Sequence, residues 1–311
     1  MELAKDFVFK PHRTANKALQ LSPEDPLGPL KLLLGTWKGQ GLNQIWRPFH
    51  AVPPNPPTQD RFLELNLTDE TIQFENIPGA IPNRGLLQAD INLFGMTYLQ
   101  QVSDRNLGGG IHVETGIWAN VQSTTDPQEV ATVVRMGSIP HGTTIEAQGS
   151  ANVIAQAPVI PAVSITPFVI DNPKEPINFP ESTLSNPTDF RSPPAQLVGI
   201  TQAMVDNPNS VLQASLQGQD IVETTVLSIS SKLGVVPVPS AGGGVANIAF
   251  LAGNAAPNAL AAEIEATFWI ETVKGPSGET FQQLQYSQTV LLNFNRLSWP
   301  HVSVATLRRL T

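Results

Sequence analysis

The chain contains no cysteine, and only 14% of its 311 residues are charged. The lack of cysteine excludes disulfides, thiolate nucleophiles and cysteine metal sites, and it fits a reducing compartment. The net charge of -8 leaves few lysines and arginines to cluster against a phosphate backbone. Nucleic acid is therefore not an expected partner.

The sequence also lacks an uninterrupted apolar run of the ~18 residues that a membrane-spanning helix needs. Its first residues, Met1 to Asp6, carry an acid where a signal peptide has basic residues ahead of an apolar core. We therefore expect no membrane span and a cytoplasmic protein.

Glycine and proline are plentiful, with 23 and 28 residues, whereas aromatic residues make up 6% of the chain. This balance favours many short strands joined by turns over long helices. A period of two near the end of the chain predicts a strand with one face formed by Leu284, Tyr286, Val290, Leu292 and Phe294. The chain is long enough to bury a substantial core, and we predict an all-β protein.

Some segments depart from this strand pattern. Residues 1–28 are predicted to form an irregular N-terminal arm. Proline recurs every few residues over 156–198, which predicts an insertion lying outside the sheet and adding little to its hydrogen-bonded ladder. After it, Asn207–Leu216 is predicted to resume as a strand. A break over Arg296–Pro300 is expected to precede the last strand. The whole chain, 1–311, is interpreted as one domain.

Glycines alternate around Trp37 in the run Leu33-Leu-Gly-Thr-Trp-Lys-Gly-Gln-Gly41. Such glycines let a strand bend tightly while the indole fills the closed end of a barrel. A glycine-rich strand with an ordinary core tryptophan is the simpler alternative. We predict a buried Trp37 that packs near the last strand.

Three parts of the chain, in order, resemble the nitrobindin family. They are the Leu33–Gly41 run with Arg47-Pro-Phe49, then Ile111-His-Val-Glu-Thr-Gly-Ile-Trp118, then Leu284-x-Tyr286 with Pro300-His301 and Leu307-Arg-Arg309. The resemblance covers about half the chain and implies an antiparallel calycin-like barrel of about ten strands, similar in shape to lipocalins and fatty-acid-binding proteins. The 156–198 and 236–262 segments have no counterpart in the family and are interpreted as large insertions.

The resemblance also implies a cofactor, because nitrobindins bind haem b and act on reactive nitrogen or oxygen species. His301 corresponds to the family's proximal histidine and is the candidate metal and cofactor ligand. His112 is the second cofactor-binding candidate, on the distal side of the haem. Any enzymatic activity would be of an isomerase or peroxidase kind, and the resemblance leaves open whether the chain is an enzyme.

The residues themselves are compatible with these roles, since a neutral imidazole is a good iron ligand. The alternatives are a surface histidine at a strand start for His301 and a hydrogen-bonded structural histidine for His112. His141 lies in a Pro-Gly turn and is expected to be exposed.

Other chemistries are poorly supplied, since the nucleophile elbow, the phosphate loop and the His-Glu-x-x-His zinc motif are all absent. Two other functions remain open beside haem binding. The first is a haem-free barrel that binds a lipid or another small hydrophobic ligand. The second is a structural protein whose barrel is filled by its own side chains. An unpaired edge strand would also permit a homodimer.

Overall fold

The computed structural model describes residues 3–4, 7–9, 25–50, 60–86, 89–125, 128–232, 243–252 and 258–310. Most of the predicted arm at 1–28 and part of the 236–262 segment lie outside these residues. Strands account for most of the described chain and the helices are few and short, so the predicted all-β class is confirmed.

The described strands are, in chain order, β1 (Gly35–Pro48), β2 (Arg61–Asn76), β3 (Ile81–Asn83), β4 (Ile91–Asp104), β5 (Gly110–Val121), β6 (Thr124–Thr125), β7 (Gln128–Glu129), β8 (Thr132–Ile139), β9 (Thr143–Ile154), β10 (Phe168–Val169), β11 (Asn172–Pro176), β12 (Asp220–Ser230), β13 (Gly244–Asn247), β14 (Leu260–Lys274), β15 (Thr280–Phe294) and β16 (Leu297–Arg309). The described helices are the 3-10 helices η1 (Gly28–Leu33) and η2 (Pro180–Ser182) and the α-helices α1 (Gln202–Asp206), α2 (Ser210–Leu216) and α3 (Ala249–Ala252). None of these described helices is long and apolar enough to cross a membrane.

Ten of the strands close into an antiparallel barrel. Their order is β1-β2-β4-β5-β8-β9-β12-β14-β15-β16, and β16 pairs back onto β1 from Ile45↔His301 to Trp37↔Arg309. Closure gives each of these ten strands a hydrogen-bonded neighbour on both sides, so none of them is an edge strand. The prediction of an antiparallel barrel of about ten strands is confirmed.

A two-residue turn joins the last two strands. Asn295 and Arg296 both have positive φ, at 49° and 63°, as a tight hairpin turn of type I′ requires. The predicted break over Arg296–Pro300 is therefore wrong, because β16 begins at Leu297 and continues through Pro300. Ordinary strand pairing continues across the proline, which lies opposite Leu291.

Glycine is required where β1 approaches β16 most closely. A Cβ atom on Gly41 would lie 2.2 Å from the carbonyl oxygen of Val304, and one on Gly39 would lie 2.1 Å from that of Thr306. No side chain fits in that space, so these glycines allow the barrel to close with a tight bend.

Large apolar side chains fill one end of the barrel. Trp37 is fully buried there, its indole Nε1 donates to the Leu33 carbonyl at 2.6 Å, and the Arg309 guanidinium lies 4.8 Å from the ring centre. The prediction that Trp37 is buried beside the last strand is confirmed. The buried interior cluster around it includes Ile72, Phe74, Met96, Trp118, Phe268, Leu284 and Leu307.

Replacement of Trp37 by alanine is expected to lower the free energy of unfolding by ~3–5 kcal/mol, because a large buried ring is removed from a packed core. The midpoint of chemical denaturation measures this loss. Phe250 is 74% exposed, and its replacement by alanine is the control, with an expected change within about 0.5 kcal/mol. A midpoint for Trp37→Ala equal to that of the control would contradict the packing described here.

A second apolar core lies on the outside of the barrel. The outward face of the wall contributes Trp46, Leu63, Leu65, Trp299, Val302 and Val304. The segment that follows β9 covers this face with Ile160, Ile165, Ile200, Val205 and Leu212. Residues 156–198 therefore lie across the outside of the barrel. In the described chain they join its ladder through the pairing of β10 with Leu297 and Ser298 and through one bridge from Arg191 to Leu63.

Two sequence predictions near this core are wrong. Asn207–Leu216 is not a strand but contains α2, which buries Leu212 on the barrel wall. A short apolar run does not distinguish a strand from a helix that needs only one buried face. Phe294 does not share the interior face with Leu284, because at the end of β15 it stacks on Trp299 in the outer core, with ring centres 4.6 Å apart.

Candidate functional site

The end of the barrel opposite Trp37 encloses a cavity of about 340 Å³. Along β16 the interior side chains shrink from Leu307 at the closed end to Ala305 and Ser303, so they no longer meet across the barrel. The volume lies within the range of about 300–1,000 Å³ that is usual for small-molecule sites. The cavity contradicts the interpretation of a barrel filled by its own side chains. Its apolar lining includes Ile45, Val102, Ile111, Ile139, Val290 and Leu292.

His301 faces this cavity from the interior side of β16, between Ile45 on β1 and Val290 on β15. Its Nε2 lies 2.7 Å from the Oδ1 atom of Asn43, which also accepts a hydrogen bond from Ser303 at 2.9 Å. Because Asn43 Oδ1 is an acceptor, Nε2 carries the proton and Nδ1 keeps a lone pair. The position is within a strand and not at a strand start, so the surface-histidine alternative is wrong.

The His301 imidazole is neutral at physiological pH. Burial, with a smaller contribution from the charges of His112 and His141, lowers its pKa to about 3. One side of the His301 ring faces the cavity, so the side chain is half-buried. Protein atoms still surround the ring closely enough to disfavour its charged imidazolium form.

His112 lines the same cavity from β5. Its Nε2 lies 3.5 Å from Oε2 of Glu114, and its ring centre lies 5.8 Å from that of His141. His112 therefore lines the cavity and also has a neighbouring carboxylate as a structural partner. His141 is exposed, as expected, but it also contributes to the cavity rim. The sequence missed this role because it follows from the β8–β9 hairpin lying beside β5.

A buried ion pair between Arg135 and Glu114 lies beside His112. The Arg135 guanidinium donates to Oε1 of Glu114 at 2.7 Å and to the Tyr98 hydroxyl at 3.2 Å, and Tyr98 donates to the same carboxylate. Burial alone would raise the pKa of Glu114, but the Arg135 charge and the hydrogen bonds lower it to about 2. Sequence analysis missed Arg135, although a charged residue on the same strand face as the apolar Val133 was an available signal.

The floor of the cavity is polar. Oε2 of Glu70 accepts from the Tyr286 hydroxyl at 2.6 Å and from Gln100 at 3.4 Å, and Oε1 accepts from the Thr68 hydroxyl at 2.7 Å. Burial raises the pKa of Glu70, and these hydrogen bonds offset part of that rise. Sequence reasoning missed this cluster, because Gln100 and Tyr286 lie far from Glu70 along the chain.

The mouth of the cavity carries one cation from β1. Arg47 forms an ion pair with Glu64 at 2.9 Å and lies 4.3 Å above the Phe62 ring. Among the described residues that line the cavity, it is the only arginine or lysine.

The histidines do not form a site for a bare metal ion. No group of three or more histidine, aspartate or glutamate side chains in the described part of the chain is arranged to hold one. A metal bound through His301 would need its other ligands from a cofactor.

Comparisons with known proteins add little to this description. No protein-family model matches the chain, and no curated protein matches it. Among solved structures, the chain is similar to Rv2717c from M. tuberculosis, with a TM-score of 0.41 and 15% sequence identity over 94% of this chain and 99% of that chain. A similarity this remote carries no argument about function. The barrel assignment rests on the strand pairing of the chain itself.

Proposed function

We propose that this protein binds haem in the barrel cavity, with His301 as the residue that would hold the iron. The observation that carries the proposal is the neutral His301 imidazole facing a largely apolar cavity. Iron coordination needs a deprotonated ring nitrogen, and an apolar cavity suits a macrocycle. The three segments that resemble the nitrobindin family, which include His301 and His112, support the same function.

The donor set fits a haem iron better than a free ion, since a macrocycle brings four ligands of its own. Bound haem would supply an iron with an open position for reactive nitrogen or oxygen species. Ile45 and Val290 would keep water from the His301 ring, which would offer the metal the lone pair of its unprotonated nitrogen. Arg47 would offer its guanidinium to a carboxylate at the mouth, and His112 would present a polar ring within the cavity.

Haem titration followed by absorbance in the Soret region tests the proposal. The wild type should bind haem, and His301→Ala should lose it while the fold is kept, because a ligand that lines a cavity supports little of the core. His112→Leu should retain haem with an altered spectrum or altered gas binding. His50 is exposed and does not line the cavity, so His50→Ala is the matched control and should bind like the wild type.

Two outcomes would reject haem binding through His301. The first is a wild-type protein that takes up no haem under either oxidising or reducing conditions. The second is a His301→Ala variant with unchanged affinity and spectrum.

A haem-free barrel that binds a small hydrophobic ligand is the second candidate. One observation favours it, namely that His301 Nε2 is already held by Asn43 at 2.7 Å. In that case a fluorescent apolar probe should bind in the cavity with the same affinity in the wild type and in His301→Ala. A probe that does not bind the wild type would reject this candidate.

A further inference from the structure

Glu70 differs from Glu114 and Glu64, two other carboxylates inside the barrel, because each of those forms an ion pair with an arginine. Glu114 has the Arg135 guanidinium at 2.7 Å, whereas Glu70, only 2% exposed, accepts hydrogen bonds from neutral groups alone. In the described chain no arginine or lysine forms an ion pair with Glu70. A buried carboxylate without a cation is unfavourable, and a cation supplied from outside would relieve that cost.

Glu70 also has room for another donor. A carboxylate offers about four acceptor positions, and Tyr286, Gln100 and Thr68 occupy three of them. The side chain lines the cavity, so the carboxyl group lies next to the space that a ligand would fill.

The rest of the cavity matches a ligand with one polar end. Above the floor, the walls carry Val102, Ile45 and Val290, and the guanidinium of Arg47 lies at the mouth. Among the described residues, an anionic head group would meet no cationic donor beside the Glu70 carboxyl at the floor, whereas Arg47 would attract it at the mouth. A cationic head group would instead be attracted by the Glu70 carboxyl at the floor and repelled by Arg47 at the mouth.

From this arrangement we infer that the cavity binds aliphatic amines, with the ammonium group on Glu70 at the floor and the hydrocarbon chain along the apolar walls. The inference rests on the cavity alone and does not require haem. An amine bound there would occupy the space that the haem proposal gives to the macrocycle, so the two ligands would compete. Tyr286 and Gln100 hold the carboxylate in place, and the ammonium donates to its free position.

Isothermal titration of the full chain with decylamine, decanol and decanoic acid tests the inference, because the three probes share a chain and differ in their head groups. Decylamine should bind about tenfold or more tighter than decanol, as expected for a hydrogen bond to a charged group. Decanoic acid should bind more weakly than either. Glu70→Gln keeps the size of the side chain and should abolish the preference for the amine while decanol binding is retained.

Glu271→Gln is the matched control. Glu271 is also a fully buried carboxyl whose pKa burial raises, to about 7, but it does not line the cavity. This variant should keep the wild-type preference for decylamine. Thermal melts of both variants check that they are folded.

Equal binding of decylamine and decanol by the wild type would overturn the inference, as would a Glu70→Gln variant that still prefers the amine. Tightest binding of decanoic acid would overturn it too, and would indicate a ligand anchored by Arg47. A protein that takes up no haem but shows the Glu70-dependent amine preference would reject the haem proposal and support this inference.

Discussion

Replacement of Arg135 by methionine is expected to lower the free energy of unfolding by about 3–5 kcal/mol, because it leaves a buried carboxylate without its cation. The Arg135 and Glu114 side chains are only 2% and 0% exposed, and the guanidinium also donates to Tyr98 and to Gln288. Chemical denaturation of both proteins at neutral pH measures the loss.

The double variant Arg135→Met/Glu114→Gln separates the lost charge from the lost packing. It removes both charges and should recover most of the stability, since an apolar or neutral replacement of a whole buried ion pair is often close to neutral. A double variant as unstable as Arg135→Met would show that the packing of the guanidinium, and not its charge, stabilises this part of the barrel.

The same pair makes a prediction about pH. Burial opposes ionisation of Glu114, yet Arg135 holds its pKa at about 2. The stabilisation that ionised Glu114 gives the folded protein is complete above the pKa of a glutamate in the unfolded chain. It is lost as the pH falls through the pKa of Glu114 in the folded protein. The difference in unfolding free energy between the wild type and Arg135→Met should therefore narrow as the pH falls from about 5 to about 2.

Replacement of Trp299 by alanine should destabilise the protein by about 3–5 kcal/mol and free the insertion from the barrel. Trp299 is 1% exposed, and its ring centre lies 4.6 Å from that of Phe294, 5.2 Å from that of Phe179 and 5.6 Å from that of Trp46. Phe179 belongs to the insertion, so the alanine variant removes its main aromatic partner on the wall.

Limited proteolysis distinguishes this local release from a general loss of stability. The wild type should resist cleavage within residues 156–198, whereas Trp299→Ala should be cut there first. Trp37→Ala is the matched control, because it removes an equally buried indole that lies inside the barrel and away from the insertion. Early cleavage of the insertion in both variants would mean that the segment simply follows global stability.

Strand alternation was sufficient to predict which face of several strands each side chain occupies, whereas the barrel itself was implied by the family resemblance. The positions of Trp37 and His301 inside it, and of Val302 and Val304 outside it, follow from a period of two in strands whose ends are marked by glycine and turns. Such local patterns fix which face a residue occupies because neighbouring side chains in a strand must point to opposite sides.

The contacts that give the cavity its chemistry could not be predicted in this way. Tyr286 and Glu70 are separated by 216 positions, and their hydrogen bond depends on the order in which the strands close. Arg135 and Glu114 meet for the same reason. Each residue alone looks like an ordinary polar residue in a strand, so only the register between strands brings the partners together.

Strand β16 contributes side chains to the interior core and to the outer core, and this affects the stability of the wall beside the cavity. A hollow of about 340 Å³ forgoes the contacts that would otherwise hold the strands together. The outer core restores contacts to the same strands from the opposite side, through Val302 and Val304. The insertion thus stabilises the barrel wall from outside. The residues that face the cavity therefore contribute less to the stability of that wall. Selection can then vary those residues for recognition with little penalty in folding.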